Sequence, residues 1–236
     1  KQLHIGSYRG SEPFYPASVV KLFYLAYSAF LADSGKLSIS PELERAEQDM
    51  IVESSNDATH AVLDAVTGTT GGPELKGRAY ERWCDQRNAV NRWLKTKGYS
   101  GINANQKTWC EGPYGRERQF VGAKYENRNS LTAESTVRMM AEIHLGTIAG
   151  SERTSWMLKY LSREIPAENP KTDFQARAFI GKSLPEGSKL WSKAGYTDDS
   201  RHDVAWFTLP SGEPWVLSVF TKNFSRYHNI LNKVFW

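Results

Sequence analysis

The chain has 236 residues, 40% of them hydrophobic and 24% charged, with a formal net charge of +4. That length allows one large domain or two intimate lobes around a real core, and the composition is that of an ordinary soluble globular protein. The charge is scattered, with no Lys/Arg tract, which argues against a nucleic-acid partner despite eight tryptophans. No apolar run reaches the roughly 20 residues of a membrane span. No H-E-x-x-H or similar spacing links the five histidines into a metal site, and no cofactor is expected.

In chain order, residues 1–16 are short, and the alternation in "LHIGSYRG" suggests a strand or its remnant. "YPASVVKLFYLAYSAFLADSG" follows, with Pro16 as a helix start and Gly35 as the residue past its end. Val19, Val20, Leu22, Phe23, Leu25, Ala26, Phe30 and Leu31 cover nearly every face, so this helix is expected to be buried. Lys21, in its first turn, is disfavoured both by burial and by the positive end of the helix dipole. Two readings stand side by side. Lys21 can snorkel outward with Ser18 as a mere cap. Alternatively Ser18 and Lys21, three apart on one face, act together, a lysine of lowered basicity taking the proton of the hydroxyl.

"PELERAEQDMIVE" and "NDATHAVLDAVTG" read as the next helices, the second stopped by Gly68. A further helical region, "ELKGRAYERWCDQRNAVNRWLKTKGYS", ends near Gly98, and "LTAESTVRMMAEIHLG" has Thr132 as cap and Gly146 as stop. Between Gly98 and Leu131 lies a long polar stretch of a kind that is usually functional or disordered. "KLWSKAGY", "HDVAWFTLP" and "EPWVLSVFTK" read as three strands, the last two joined by a turn at Ser211-Gly212, and "SRYHNILNKVFW" can close the chain as a helix. A block of helices followed by hairpin-linked strands predicts an α+β layout with an antiparallel sheet. "ARAFIGKS" ends like a phosphate-binding loop, but Ala176 stands where the first glycine is needed. There is no G-x-S-x-G elbow. Cys84 and Cys110 lack a C-x-x-C spacing and read equally as two thiols or one disulfide.

Three short patterns fall in order: Ser18-Val19-Val20-Lys21 opening a buried helix, Ser54-Ser55-Asn56 in a break between helices, and Lys193-Ala194-Gly195 on a strand before a hairpin. Each alone is weak, since Ser55 or Asn56 could simply cap a helix and Lys193 could be solvated. Together they resemble the S-x-x-K, S-D-N and K-T-G set of the class A β-lactamase and penicillin-binding serine enzymes. "MIVESSNDATHAVL" and "RNSLTAESTVRMM" are similar to further segments of that family, so the resemblance runs from about Phe14 to Trp236. It implies a β-lactamase-like α+β fold, with 1–17 and 170–236 as a sheet-containing lobe, 18–169 as a mostly helical lobe, and the site between them.

The resemblance also implies roles. Ser18 would be the acylated nucleophile and Lys21 would help remove its proton. Ser54 would relay a proton to the leaving nitrogen, and Asn56 would hold Lys21 and the substrate amide. Lys193 would orient Ser54 and attract a substrate carboxylate. Gly195 would let the substrate lie against the strand. The amides of Ser18 and Tyr196 would form the oxyanion hole. Arg201, expected at the start of the neighbouring strand, would grip the carboxylate or else pair with Asp198 or Asp199.

The chain departs from the family in several places. The second serine of Ser-Ser-Asn replaces the aspartate, Ala194 replaces a hydroxyl residue, and the E-x-x-L-N motif is missing. Glu117 is then the nearest positional candidate for activating water, with Glu111 second, although "GRERQ" also reads as a solvated charge run. Little sequence precedes Ser18, so upstream sequence or an incomplete sheet is expected, as is a removed leader before Lys1. The expected activity is hydrolysis of a β-lactam amide through an acyl-serine. The alternatives are a D,D-peptidase or other amidase or esterase with the same Ser-Lys pair, and a silent binding domain. The expected partner is a small β-lactam or peptidoglycan-like molecule, the expected state a monomer, and the family implies export and antibiotic resistance.

Overall fold

The helix expected from Pro16 to Gly35 opens as a 3₁₀ turn, Ala17–Val20, and continues as α1, Lys21–Asp33. The computed structural model describes residues 4–109, 111–165 and 174–222. Every residue of α1 from Lys21 to Ala29 is buried, as its all-round apolar surface requires. Lys21 therefore does not snorkel; it is 0% exposed.

α2, Pro41–Ile51, starts at Ser40, whose side chain accepts from Leu43 N, and Glu42 and Glu44 sit in its positive first turn. α3, Asn56–Thr67, is capped by the Ser55 side chain and ends at Gly68 with φ 64°. The next helical region divides at Asn88 into α4, Gly77–Arg87, and α5, Ala89–Thr96. Then come α6, Gly115–Val121; α7, Ala133–His144, with Thr132 and Ser135 in a reciprocal cap; α8, Ser151–Leu161; and the single turn α9, Phe174–Arg177.

The strands are β1, Ser162–Arg163; β2, Lys189–Tyr196; β3, Arg201–Thr208; and β4, Pro214–Phe220. Among the described residues they form one antiparallel sheet in the order β1-β2-β3-β4, in which β2 to β4 are the strands the hairpin pattern predicts and β1 is an edge strand it does not. The alternation in "LHIGSYRG" does not become a strand: residues 4–13 hold none, and Phe14 makes only an isolated bridge to Leu131. The closing helix expected in "SRYHNILNKVFW" and the state of Cys110 lie outside the described residues.

α1 runs through the main core, packed by α3, α5 and α8, with α7 between it and the sheet. Across the sheet a smaller cluster, including Ala176, Ile180, Leu190 and Phe207, covers β2 and β3. The polar stretch lies against α1 and α5 and is held by side-chain amides instead of periodic structure. Asn129 Oδ1 accepts from Asn105 N at 3.0 Å and Gln106 N at 2.9 Å, and its Nδ2 donates to Gln106 O at 3.0 Å. Asn91 Nδ2 donates to Asn103 Oδ1 at 2.6 Å, and Tyr24 of α1 donates to Gln106 O at 2.6 Å.

His202 fastens the segment before Ser18 to the sheet. Its Nδ1 accepts from Thr221 N at 3.1 Å, so its Nε2–H is left to donate to Tyr15 O at 3.0 Å. Burial pushes His202 down from 6.5 to about 4, and pushes its neighbour Asp203 up from 3.8 to about 7. Unfolded histidine takes a proton below 6.5 that the folded ring refuses, so the His202 contribution is complete above that pH and is lost as pH falls towards 4. Asp203 acts oppositely: its contribution is complete below about 4 and is lost as pH rises towards 7. The expected result for His202→Asn is a destabilisation that grows between pH 4 and 7 by on the order of 3 kcal/mol. Urea unfolding across that range measures it. A difference between parent and variant that is the same at every pH would show that His202 titrates normally in the fold.

Candidate active site

Ser54 sits in the break between α2 and α3 with φ 55°, a left-handed conformation that costs a serine on the order of 1–3 kcal/mol. This turn brings its hydroxyl to two buried lysines. Lys21 Nζ lies 3.3 Å from Ser54 Oγ and donates to Ser54 O at 2.6 Å and to Asn56 Oδ1 at 2.8 Å. Lys193 Nζ, from β2, lies 3.0 Å from the same Oγ and donates to Gln175 Oε1 at 2.6 Å and Ala194 O at 2.9 Å. Burial, then the charges of Lys21 and Arg163, hold Lys193 well below the usual lysine range, and the Asp203 carboxylate opposes them. The three sequence patterns thus meet at one hydroxyl.

Ser18 is half-buried in the 3₁₀ turn, one turn ahead of Lys21, whose backbone N–H reaches Ser18 O. Ala17 before it has φ 46°, a second left-handed non-glycine residue at the site. Gly195 packs directly on this turn. A methyl group there would come within 2.7 Å of Pro16 O and 2.8 Å of the backbone nitrogens of Ser18 and Val19. A glycine is therefore needed for the turn and β2 to meet backbone to backbone. The strand continues to Tyr196, which is exposed.

Arg201 stands opposite Tyr196 in the β2–β3 register, on the neighbouring strand as expected. Its guanidinium lies 5.5 Å from the Phe179 ring centre and 6.0 Å from that of Tyr196, and Phe174 meets Tyr196 edge-on at 5.6 Å.

Glu117 is in a different setting. It is buried at the start of α6, where Arg87 reaches both carboxylate oxygens, at 2.7 and 3.3 Å. Lys107 lies 3.3 Å from Glu117 Oε1, and both cations also bind Asp64, at 2.6 and 2.8 Å. Asp64 is two turns along α3 from Asn56, about 12 Å at the helical rise. Glu111 is exposed and accepts from Tyr114 at 3.3 Å.

Gln175 was not visible as a site residue. It lies immediately before the stretch that imitates a phosphate loop, and nothing in a glutamine 18 residues before a lysine marks a contact. The Arg87–Asp64–Glu117–Lys107 cluster was equally hidden, because its members come from α3, α4, α6 and the polar stretch. Among the described residues no group of His, Cys, Asp and Glu gathers in a form that could hold a metal ion, and no helix is long and apolar enough to cross a membrane.

Comparison with solved structures finds β-lactamases over most of the chain. A beta-lactamase from Sphaerobacter thermophilus superposes with a TM-score of 0.68 at 21% identity, covering 97% of this chain and 82% of the other. One from Chitinophaga pinensis gives 0.65 at 18%, covering 92% and 79%. The chromosome-encoded beta-lactamase of Vibrio parahaemolyticus gives 0.65 at 17%, covering 97% and 83%. These likenesses establish the α+β β-lactamase-like fold. No curated protein matches the chain by sequence. The model of the beta-lactamase enzyme family matches residues 42–234, a range that includes Ser54, Asn56 and Lys193 and begins after Ser18 and Lys21. With that range spanning most of its length, the chain belongs to the beta-lactamase enzyme family.

Proposed function

We propose that the chain is a serine hydrolase that opens a β-lactam or related amide through an acyl-serine at Ser18. The observation that carries this reading is the Ser54 hydroxyl held between the amines of Lys21 and Lys193, with Lys21 one turn after Ser18. Lys21, one turn after Ser18, accepts the Ser18 proton. Ser18 Oγ bonds to the amide carbon, and the resulting oxyanion lies against the amides of Ser18 and Tyr196. As the tetrahedral carbon collapses, the carbon–nitrogen bond breaks and the leaving nitrogen takes a proton through Ser54. Asn56 holds Lys21 and the substrate amide, Gly195 lets β2 meet the turn that carries Ser18, Lys193 orients Ser54, and Arg201 faces the substrate carboxylate. The substrate is a small carboxylate-bearing molecule, and the family supports an exported enzyme.

A second reading concerns the step after acylation. Both oxygens of Glu117 are taken by Arg87, and it shares its cations with Asp64. A carboxylate so engaged anchors α6 and the polar stretch and is poorly placed to activate water. This favours a long-lived acyl-enzyme, as in a penicillin-binding enzyme, over rapid turnover.

Intact-mass measurement with benzylpenicillin tests the main proposal. An adduct of one penicillin is expected on the parent, and none on Ser18→Ala with an unchanged melting curve. Absence of both adduct and hydrolysed product from the parent would reject the proposal. Glu117→Gln is expected to lose on the order of 3–5 kcal/mol of stability, as when one member of a buried ion pair is removed, with the lifetime of the adduct unchanged. Accumulation of adduct in that variant alone would instead make Glu117 the water-activating base. Arg201→Ala is expected to weaken reaction with carboxylate-bearing substrates more than with their neutral esters, by about 1.5–3 kcal/mol, the worth of a hydrogen bond to a charged group. Equal losses for acid and ester would show that Arg201 serves the turn and not the substrate.

A further inference from the structure

Gln175 is buried in α9 with all the hydrogen-bonding capacity of its amide in use. Its Oε1 accepts from Lys193 Nζ at 2.6 Å and from Ala194 N at 3.2 Å. Its Nε2 donates to Ile51 O at 2.9 Å and Val52 O at 2.8 Å, carbonyls at the end of α2 just before Ser54. The two ends cannot be exchanged: an NH₂ facing the Ala194 N–H and an oxygen facing two carbonyls would make those contacts repulsive. One neutral side chain thus ties the lysine and the serine-bearing turn together from behind.

We infer that Gln175 is a positioning residue: it clamps the Lys193 amine to the end of α2 and so sets its distance to the Ser54 hydroxyl. The inference rests on the proposed acyl-serine chemistry for its consequence and on the four hydrogen bonds for its geometry. The amide suits the place because it satisfies a cation on one side and two carbonyls on the other without adding a charge. A carboxylate would keep the lysine and face the carbonyls with no donor; an apolar side chain would satisfy neither. The other charged groups that bear on Lys193 are Lys21 from α1, Arg163 from β1 and Asp203 from β3, and none of them is tied to the end of α2 as Gln175 is except Arg163, whose guanidinium reaches Ile51 O at 3.1 Å.

Gln175→Met and Gln175→Glu test the clamp on the full chain, with two readouts. The first is acylation by benzylpenicillin as a function of pH. The second is an NMR titration of the Lys193 ε-carbon, which needs no substrate. The methionine variant is expected to acylate about tenfold to a hundredfold more slowly, the loss that follows from one hydrogen bond to a charged group. The glutamate variant is expected to recover part of that rate, with its alkaline limb and the Lys193 titration both moved to higher pH by the added negative charge. Acylation at the parent's rate and pH profile in both variants, with an unmoved Lys193 titration, would overturn the inference and leave Gln175 as packing. If the parent itself fails to acylate, the proposed function falls, and the Lys193 titration still decides the clamp: unmoved in both variants rejects it, moved in opposite senses supports it.

Discussion

Lys21 and Lys193 come from opposite ends of the chain and meet at the hydroxyl of Ser54, both with no exposed surface. Burying two amines within reach of one oxygen is costly unless each finds acceptors. Those acceptors are what tie the fold together. Lys21 draws in the turn at Ser54 and the first residue of α3. Lys193 draws in α9 and the carbonyl of its own strand. Behind them Arg163 of β1 donates to Ile51 O and Ser192 O, so the end of α2 and strand β2 are joined twice, once by an arginine and once by a glutamine. The buried amines therefore lock helices to sheet at the one place where the proposed reaction needs both.

Backbone strain collects at the same place. Ala17 and Ser54 both adopt positive φ, one immediately before the candidate nucleophile and one at the serine between the lysines. Neither conformation is favourable for its residue type. Each persists because its surroundings fix it: Ala17 by the β2 backbone pressed on the following turn at Gly195, Ser54 by the two amines on its oxygens.

Much of this is legible in the sequence. The all-round apolar character of α1 foretold its burial, and a buried helix with a lysine in its first turn demands a partner for that lysine. The strands β2 to β4 followed from alternation and a turn signal, and the three motifs converge as their order suggested. What stayed hidden has one physical character. Gln175, Arg87, Asp64 and Lys107 act through contacts between residues far apart in sequence, and such contacts leave no period to read. The division of a long helical region at Asn88 and the non-strand fate of "LHIGSYRG" are cases where tertiary contacts outweighed local pattern.

The polar stretch is the furthest from prediction, since its order comes from amides bonded to amides and to backbone. This choice of chemistry has a consequence for the age of the molecule. Hydrolysis of a side-chain amide, the slow reaction to which asparagine is prone, would turn Asn129 into an aspartate. Its Nδ2, which now donates to Gln106 O, would become an oxygen facing that carbonyl. Asn129 is 2% exposed, so water could not take over the lost donor, and the new charge would be buried beside the hydroxyl of Tyr24. The amide fasteners carry no charge, so salt leaves them untouched, unlike the Lys107 pairs with Asp64 and Glu117 in the same stretch. The same chemical ageing threatens the other amide nitrogens of the network, those of Asn91, Asn103 and Asn127.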